Sequence, residues 1–281
     1  MQRVGVVGCG LMGAGITEVV ARAGLEVVVV EADETAAAAG RQRLETSLER
    51  ARSRGKLEQD VEEVLERVTL TTDFDALADR DLVLEAVVED ERAKAEVFRR
   101  LDRTVTAAAA VLASNTSSIP VTRLGVATSR PESVLGVHFF NPVPVLPLVE
   151  LVPGLRTAPT TTQRARAFVE GRLGKQVIES PDRAGFVVNA LLIPFVLSAV
   201  RMLESGFATA EDIDRGLVLG AAHPQGPLAL ADLIGLDTVH AIAESLHAEY
   251  KEPHYASPPL LARMVDAGLL GRKTGRGFHT Y

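Results

Sequence analysis

His138 and Glu150 are the two side chains whose types and spacing suit proton chemistry. His138 lies in the apolar run Gly136-Val137-His138-Phe139, and Glu150 lies in the next one, Val149 to Val152, with Asn141-Pro142-Val143-Pro144 between them. If the two runs pair antiparallel about a loop centred on Pro144, both positions lie six residues from the centre and fall opposite each other. Directly opposed residues have Cβ atoms roughly 5 Å apart, within reach of a histidine–carboxylate hydrogen bond. A carboxylate against one imidazole nitrogen sets the tautomer, favours the protonated ring and leaves the other nitrogen to act as a base. A histidine at a strand end is often structural, and the spacing alone leaves both readings open.

A second constellation opens the chain. Arg3-Val4-Gly5-Val6-Val7 reads as a buried strand and runs into Gly8-Cys9-Gly10-Leu11-Met12-Gly13, a helical stretch, then Val27 to Val30 and Glu31. Strand, GxGxxG turn, helix, strand and terminal acid, in that order, make a dinucleotide-binding unit. In such a unit Gly8 permits the tight turn, Gly10 lets backbone approach a pyrophosphate, and Gly13 brings helix and strand together. The helix start at Leu11 and Met12 presents N–H groups and the positive end of its dipole to phosphate. Glu31 can accept from both ribose hydroxyls of an adenosine and would repel a 2′-phosphate; no Arg or Lys follows within Ala32 to Ala39 to attract one. NAD is therefore expected over NADP, against the alternative of a tight strand–helix turn with no ligand.

Weaker signals surround these two. Ala113-Ser114-Asn115-Thr116-Ser117-Ser118 follows a strand-like run, where ligands of doubly wound sheets bind, but it also suits a turn capping a short helix near Pro120. Arg50, Arg52, Arg54 and Lys56 end a long helical pattern. They either complement the helix dipole or hold an anionic group such as a nucleotide or phosphopantetheine arm. The single cysteine, Cys9, lies inside the glycine turn, reads as structural and excludes a disulfide within the chain. No histidine pair has a convincing metal spacing, so no metal is expected.

The elements that must position these residues alternate. Strand-like runs at 4–7, 27–30, 68–71, 82–87, 111–114 and 134–137 are separated by helical patterns, clearest at 36–54, 91–102 and 160–173. Apolar strands between amphipathic helices predict a parallel sheet covered on both faces. After Val177-Ile178 only helical signals remain: 186–204, 210–219, 228–233, 237–250 and 259–267. The expected architecture is an α/β, Rossmann-like, doubly wound and mostly parallel sheet over residues 1–183, followed by an all-α domain over 184–281. The helix over 186–204 is apolar on nearly all sides, which requires burial, in part against a second subunit; a homodimer is expected. A net charge of −7 argues against a nucleic-acid surface. No run reaches the ~20 apolar residues of a membrane span, and the first strand leaves no room for a leader, so a cytoplasmic protein is expected.

Taken with His138-Phe139-Phe140-Asn141-Pro142, Gly185-Phe186-Val187-Val188-Asn189 and the carboxyl-terminal Leu270-Gly271-Arg272-Lys273-Thr274-Gly275-Arg276-Gly277-Phe278, the chain resembles the 3-hydroxyacyl-CoA dehydrogenases from end to end, most of all the short bacterial 3-hydroxybutyryl-CoA type. The resemblance implies that His138 takes the proton of the substrate 3-hydroxyl, that Glu150 orients it, that Ser117 bonds the 3-oxygen and that Asn189 helps hold the thioester. It further implies that Glu89, Lys94 and Asn115 line the NAD site and that Arg54 and Lys56 contact CoA phosphates. An NAD-binding domain, a helical substrate and dimerisation domain and an acyl-CoA substrate follow from it. Pro147 and Ala190 stand where many relatives have Lys and Arg, which leaves room for another acyl chain or carrier. The alternatives are a dehydrogenase acting on a hydroxyacyl group borne by an acyl carrier protein and a non-catalytic NAD-binding protein.

Overall fold

The computed structural model describes residues 1–281. The chain divides into two compact units, Met1–Arg183 and Ala184–Tyr281.

The first unit is built on eight strands: β1 (Val4–Val7), β2 (Val27–Val30), β3 (Val68–Thr71), β4 (Leu82–Glu85), β5 (Val111–Ser114), β6 (Val134–Phe139), β7 (Leu148–Pro153) and β8 (Gln176–Glu179). Its helices are α1 (Leu11–Arg22), α2 (Glu34–Ser53), α3 (Val61–Glu66), α4 (Glu91–Thr104), α5 (Val121–Val126) and α6 (Pro159–Gly171). The sheet order is β3-β2-β1-β4-β5-β6-β7-β8. The strands from β3 to β6 run parallel, β7 is antiparallel to β6, and β8 is parallel to β7. The central strands β1, β4, β5 and β6 are buried at every position, because helices cover both faces. From β1 the chain winds outward through β2 and β3, then returns to β4 on the other side. That reversal opens a crevice at the carboxyl ends of β1 and β4, the place where doubly wound sheets bind ligands.

Helix ends shift from the sequence reading by one or two residues, and three of the boundaries that depart from it have a clear local reason. The fourth strand stops at Glu85 rather than Val87, because the Glu85 carboxylate accepts from the Val87 N–H at 2.7 Å and turns the chain out of the sheet. The sixth extends through Phe139, because pairing with β7 continues to Val149 and draws His138 inside the strand. In the second unit the long helix begins at Val188 rather than Phe186, whose φ of +51° is left-handed and incompatible with a right-handed helix.

That second unit contains α7 (Val188–Glu204), α8 (Ala210–Ala221), α9 (Pro227–Ile234), α10 (Leu236–Tyr250) and α11 (Pro259–Asp266). Ile193, Val196, Leu197 and Val200 of α7 are fully buried in a core shared with Leu228, Leu236, Val239, Leu246 and Leu261. Pro194 lies inside α7, which continues through it. Within the chain α7 is not covered on every side: Leu191 is 74% exposed. No helix of the protein is long and apolar enough to cross a membrane.

The tightest joint of the first unit is the β1–α1 turn. Gly8 has φ +91°, and a Cβ on Gly13 would lie 1.9 Å from the Gly8 carbonyl oxygen. Gly13→Ala therefore has to displace backbone, and we expect it to destabilise the protein by about 1–3 kcal/mol. Gly10→Ala, whose Cβ meets nothing within 4 Å, should cost less. Urea unfolding midpoints of the two variants check this, and equal midpoints would refute the close approach.

Candidate active site

His138 and Glu150 are register partners on β6 and β7. The imidazole Nδ1 lies 2.7 Å from Glu150 Oε2, with both side chains buried. An ionised carboxylate accepts, so Nδ1 carries the proton and the ring's lone pair is placed on Nε2. Phe140 meets the imidazole edge-on, with ring centroids 4.5 Å apart. One residue beyond β5, the Asn115 side-chain oxygen accepts from the Phe139 N–H at 2.9 Å and so fixes the strand beside His138.

The loop joining β6 to β7 is held by a residue that the sequence reading missed. Lys175, just before β8, donates from Nζ to the carbonyls of Val143 and Leu146, both at 2.7 Å. Burial, with the positive charge of Arg22 nearby, lowers its pKa from the ordinary lysine value. A lone lysine ahead of an edge strand has no distinguishing local pattern, since its partners are backbone atoms some thirty residues away in sequence.

Around the Ser/Thr turn the acids and the lysine form one network. Glu85, at the end of β4, is fully buried; its carboxylate accepts from Lys94 Nζ at 2.7 Å and from Ser114 Oγ at 2.6 Å. Lys94 on α4 is also buried and reaches Glu89 Oε2 at 3.2 Å. Glu89 Oε1 in turn accepts from Thr116 Oγ1 at 2.5 Å, the Ser117 N–H at 2.9 Å and the Ser118 N–H at 3.2 Å, with Ser117 Oγ at 3.4 Å. Burial acts to raise the Glu89 pKa, but Lys94 and these donors outweigh it and hold the carboxyl below the usual range. The turn that sequence alone left between ligand contact and helix cap is thus pinned to the end of β4 and, through Glu89, to the segment that follows it. Its Asn115, Thr116 and Ser117 share the carboxyl edge of the sheet with His138.

The glycine turn offers the features a pyrophosphate requires. Space beside Gly10 is open, α1 begins with no side-chain cap, and both features face the crevice end of β1. Leu11 is exposed and Met12 half-buried in the first turn. At the end of β2 the Glu31 carboxylate accepts from the Cys9 N–H and, at 3.2 Å, from the Ala32 N–H, which sets it beside the turn. The residues present fit a dinucleotide. A further residue escaped the sequence reading here: Arg43, on α2, donates from Nη1 to the Cys9 carbonyl at 3.2 Å.

The remaining expected site residues belong to other elements. Arg54 and Lys56 are exposed at the carboxyl end of α2. Asn189 belongs to the second unit, where it is buried in the first turn of α7.

A doubly wound sheet with this turn, acid and buried His–Glu pair defines a dinucleotide-dependent oxidoreductase. The model of the 3-hydroxyacyl-CoA dehydrogenase NAD-binding domain matches residues 3–183, and that of the same family's C-terminal domain matches residues 185–281. The chain belongs to the 3-hydroxyacyl-CoA dehydrogenase family, and its cofactor is NAD. It is similar to a 3-hydroxybutyryl-CoA dehydrogenase of Mycobacterium tuberculosis, with 59% identity over 100% of this chain and 99% of the relative. Among solved structures, M. tuberculosis FadB2 superposes with a TM-score of 0.99 at 59% identity, covering 100% of this chain and 99% of that one. The (S)-3-hydroxybutyryl-CoA dehydrogenase of Ralstonia eutropha superposes with a TM-score of 0.93 at 44% identity, with the same coverage.

Cys9 has no exposed surface, and its thiol is pushed up to about 12 by burial and then by the Glu31 charge, against a smaller lowering by Arg43. Because the thiolate is the reactive form, the folded protein should resist iodoacetamide at pH 8.5, whereas the urea-unfolded chain should be alkylated. Mass spectrometry before and after unfolding reads the difference. Equal labelling of both forms would contradict the buried thiol.

Proposed function

We propose that the protein catalyses the reversible, NAD-dependent oxidation of a short-chain (3S)-3-hydroxyacyl-CoA, 3-hydroxybutyryl-CoA in particular, to the 3-ketoacyl-CoA, with His138 as the base and Glu150 as its orienting carboxylate. The observation that carries this reading is the buried 2.7 Å contact between His138 Nδ1 and Glu150 Oε2. Bound NAD supplies the acceptor for the hydride leaving C3. As that hydride leaves, negative charge grows on the 3-oxygen, and His138 Nε2 takes the hydroxyl proton. The resulting imidazolium is stabilised by the Glu150 carboxylate. In the reverse direction the same ring returns the proton as an acid.

Ser117 is assigned to hydrogen-bond the 3-oxygen and Asn189 to hold the thioester. Asn115, Glu89 and Lys94 belong, on this reading, to the nicotinamide side of the cofactor site. Gly8, Gly10, Leu11, Met12 and Gly13 receive the pyrophosphate, and Glu31 the adenosine ribose. Arg54 and Lys56, exposed cations at the end of α2, are the proposed contacts to CoA phosphates. Residues 1–183 serve as the NAD-binding domain and residues 184–281 as the substrate and dimerisation domain.

His138→Gln should cut turnover by at least roughly 10²-fold, with cofactor binding and unfolding temperature nearly unchanged. Glu150→Gln should slow turnover too, since an amide can present its N–H to Nδ1 and so favour the wrong tautomer. NADH absorbance with 3-hydroxybutyryl-CoA measures both. A fully active His138→Gln enzyme would overturn the base assignment, and a matched acyl carrier protein thioester oxidised as fast would overturn the carrier.

The exposed Leu191 and Met202 on α7 support a homodimer formed through the helical unit. Light scattering should then report twice the chain's 30.0 kDa at micromolar concentration. A monomer mass would show that these side chains stay in solvent.

A further inference from the structure

The glycine turn carries a charge that no part of the proposed reaction uses. α2 lies so close to the turn at Gly40 that a Cβ there would stand 2.6 Å from Cys9 Cβ. This approach brings Arg43, less than one helical turn further on, onto the Cys9 carbonyl at 3.2 Å. The N–H of the same residue, Cys9, is bonded to the Glu31 carboxylate. A guanidinium and a carboxylate therefore occupy the two polar backbone atoms of one residue of the β1–α1 turn, beside the end of β2 where the adenosine ribose is placed.

The other charges nearby are already committed. Arg41 is paired with Glu45 at 2.9 Å. Asp33 caps α2 through the Ala36 N–H at 2.8 Å, and Glu34 accepts from Thr72 Oγ1 at 3.2 Å. Arg43 is exposed, and the contact it makes is to a carbonyl rather than to a carboxylate. Its remaining N–H groups retain the fork geometry that binds a phosphate bidentately.

We propose that Arg43 is a ready-made ligand for a phosphate on the adenosine 2′-oxygen, so that this protein's discrimination against NADP rests on the Glu31 carboxylate alone. The inference rests on the NAD-site reading above and adds to it a residue of opposite sign. Sequence spacing hid that residue because Arg43 lies beyond the stretch directly after Glu31. Its field at the ribose offsets part of the Glu31 charge. With Glu31 in place, a 2′-phosphate meets a carboxylate as it reaches the guanidinium; with Glu31 gone, it meets the guanidinium only.

Calorimetric titration with ADP-ribose and with 2′-phospho-ADP-ribose tests this on the whole protein, without turnover. Wild type should bind ADP-ribose and discriminate against its 2′-phosphate. Glu31→Ser should bind the 2′-phosphate form, and Glu31→Ser/Arg43→Gln should bind it at least about tenfold more weakly than Glu31→Ser, a difference of about 1.4 kcal/mol. The affinity of the two variants for ADP-ribose should stay alike, and Glu31→Ser/Arg43→Lys should retain part of the gain. Equal affinity of the first two variants for 2′-phospho-ADP-ribose would overturn the proposal while leaving the NAD site standing. An equal loss for both ligands would overturn it as well, by showing that Arg43 acts on a part they share. Failure of wild type to bind ADP-ribose would remove the NAD site itself and the proposal with it.

Discussion

A carboxylate shut away from water has to be neutralised and hydrogen-bonded where it stands, and Glu85 is such a carboxylate at the centre of the sheet. It ends β4, between Val7 of β1 and Ser114 of β5. Lys94 from α4, Ser114 from β5 and the Val87 N–H all donate to it. Breaking such a pair by removing one partner generally costs about 3–5 kcal/mol, because the other charge is left buried and unmatched. The geometry of three consecutive elements at the crevice is therefore set by one ion pair. Lys94 extends its influence through Glu89 to the backbone of Ser117 and Ser118. Residues whose resemblance suggests contact with a cofactor are, within the protein, the ties that hold the crevice wall.

The same economy of position governs the His–Glu pair. In a parallel sheet, successive strands present only their carboxyl ends to the crevice, and a partner for His138 on a parallel neighbour would have to come from a different chain segment altogether. Reversal of direction between β6 and β7 solves this with a hairpin-like connection that brings residue 150 opposite residue 138. The reversal places a buried carboxylate beside a buried imidazole at the edge where Asn115 and Ser117 also lie. Lys175 then holds the intervening loop by its carbonyls, so the strands cannot shift register without breaking two charge-assisted hydrogen bonds.

At the other side of the crevice, close approach rather than charge is the organising constraint. Gly13 against the Gly8 carbonyl, and Gly40 against Cys9, clamp the turn between α1 and α2. The clamp excludes water from the Cys9 thiol and leaves it protonated, while Glu31 and Arg43 sit on either side of the same residue. A loop held this rigidly presents its free N–H groups to a phosphate without first having to be ordered.

Much of this protein was determined by its sequence alone, because the signals are periodic or local. Apolar runs separated by helical patterns specify the alternating sheet, and the glycine spacing with Glu31 specifies the dinucleotide turn. Even the opposition of His138 and Glu150 follows from their symmetric places about Pro144, since hairpin register is arithmetic once direction is known. Three-dimensional packing decided the rest. Phe186 is apolar and looks helical, yet its left-handed backbone delays α7 to Val188. Resemblance alone assigns Lys94 to the NAD site, and nothing local in the sequence shows that it is buried against Glu85. Lys175 and Arg43 have no motif, because what they hold is backbone carbonyls distant in sequence. Periodicity reports which face of an element is apolar; it carries no record of which charged side chain will be close enough to a buried carbonyl or carboxylate to satisfy it, and that pairing exists only after the elements are packed.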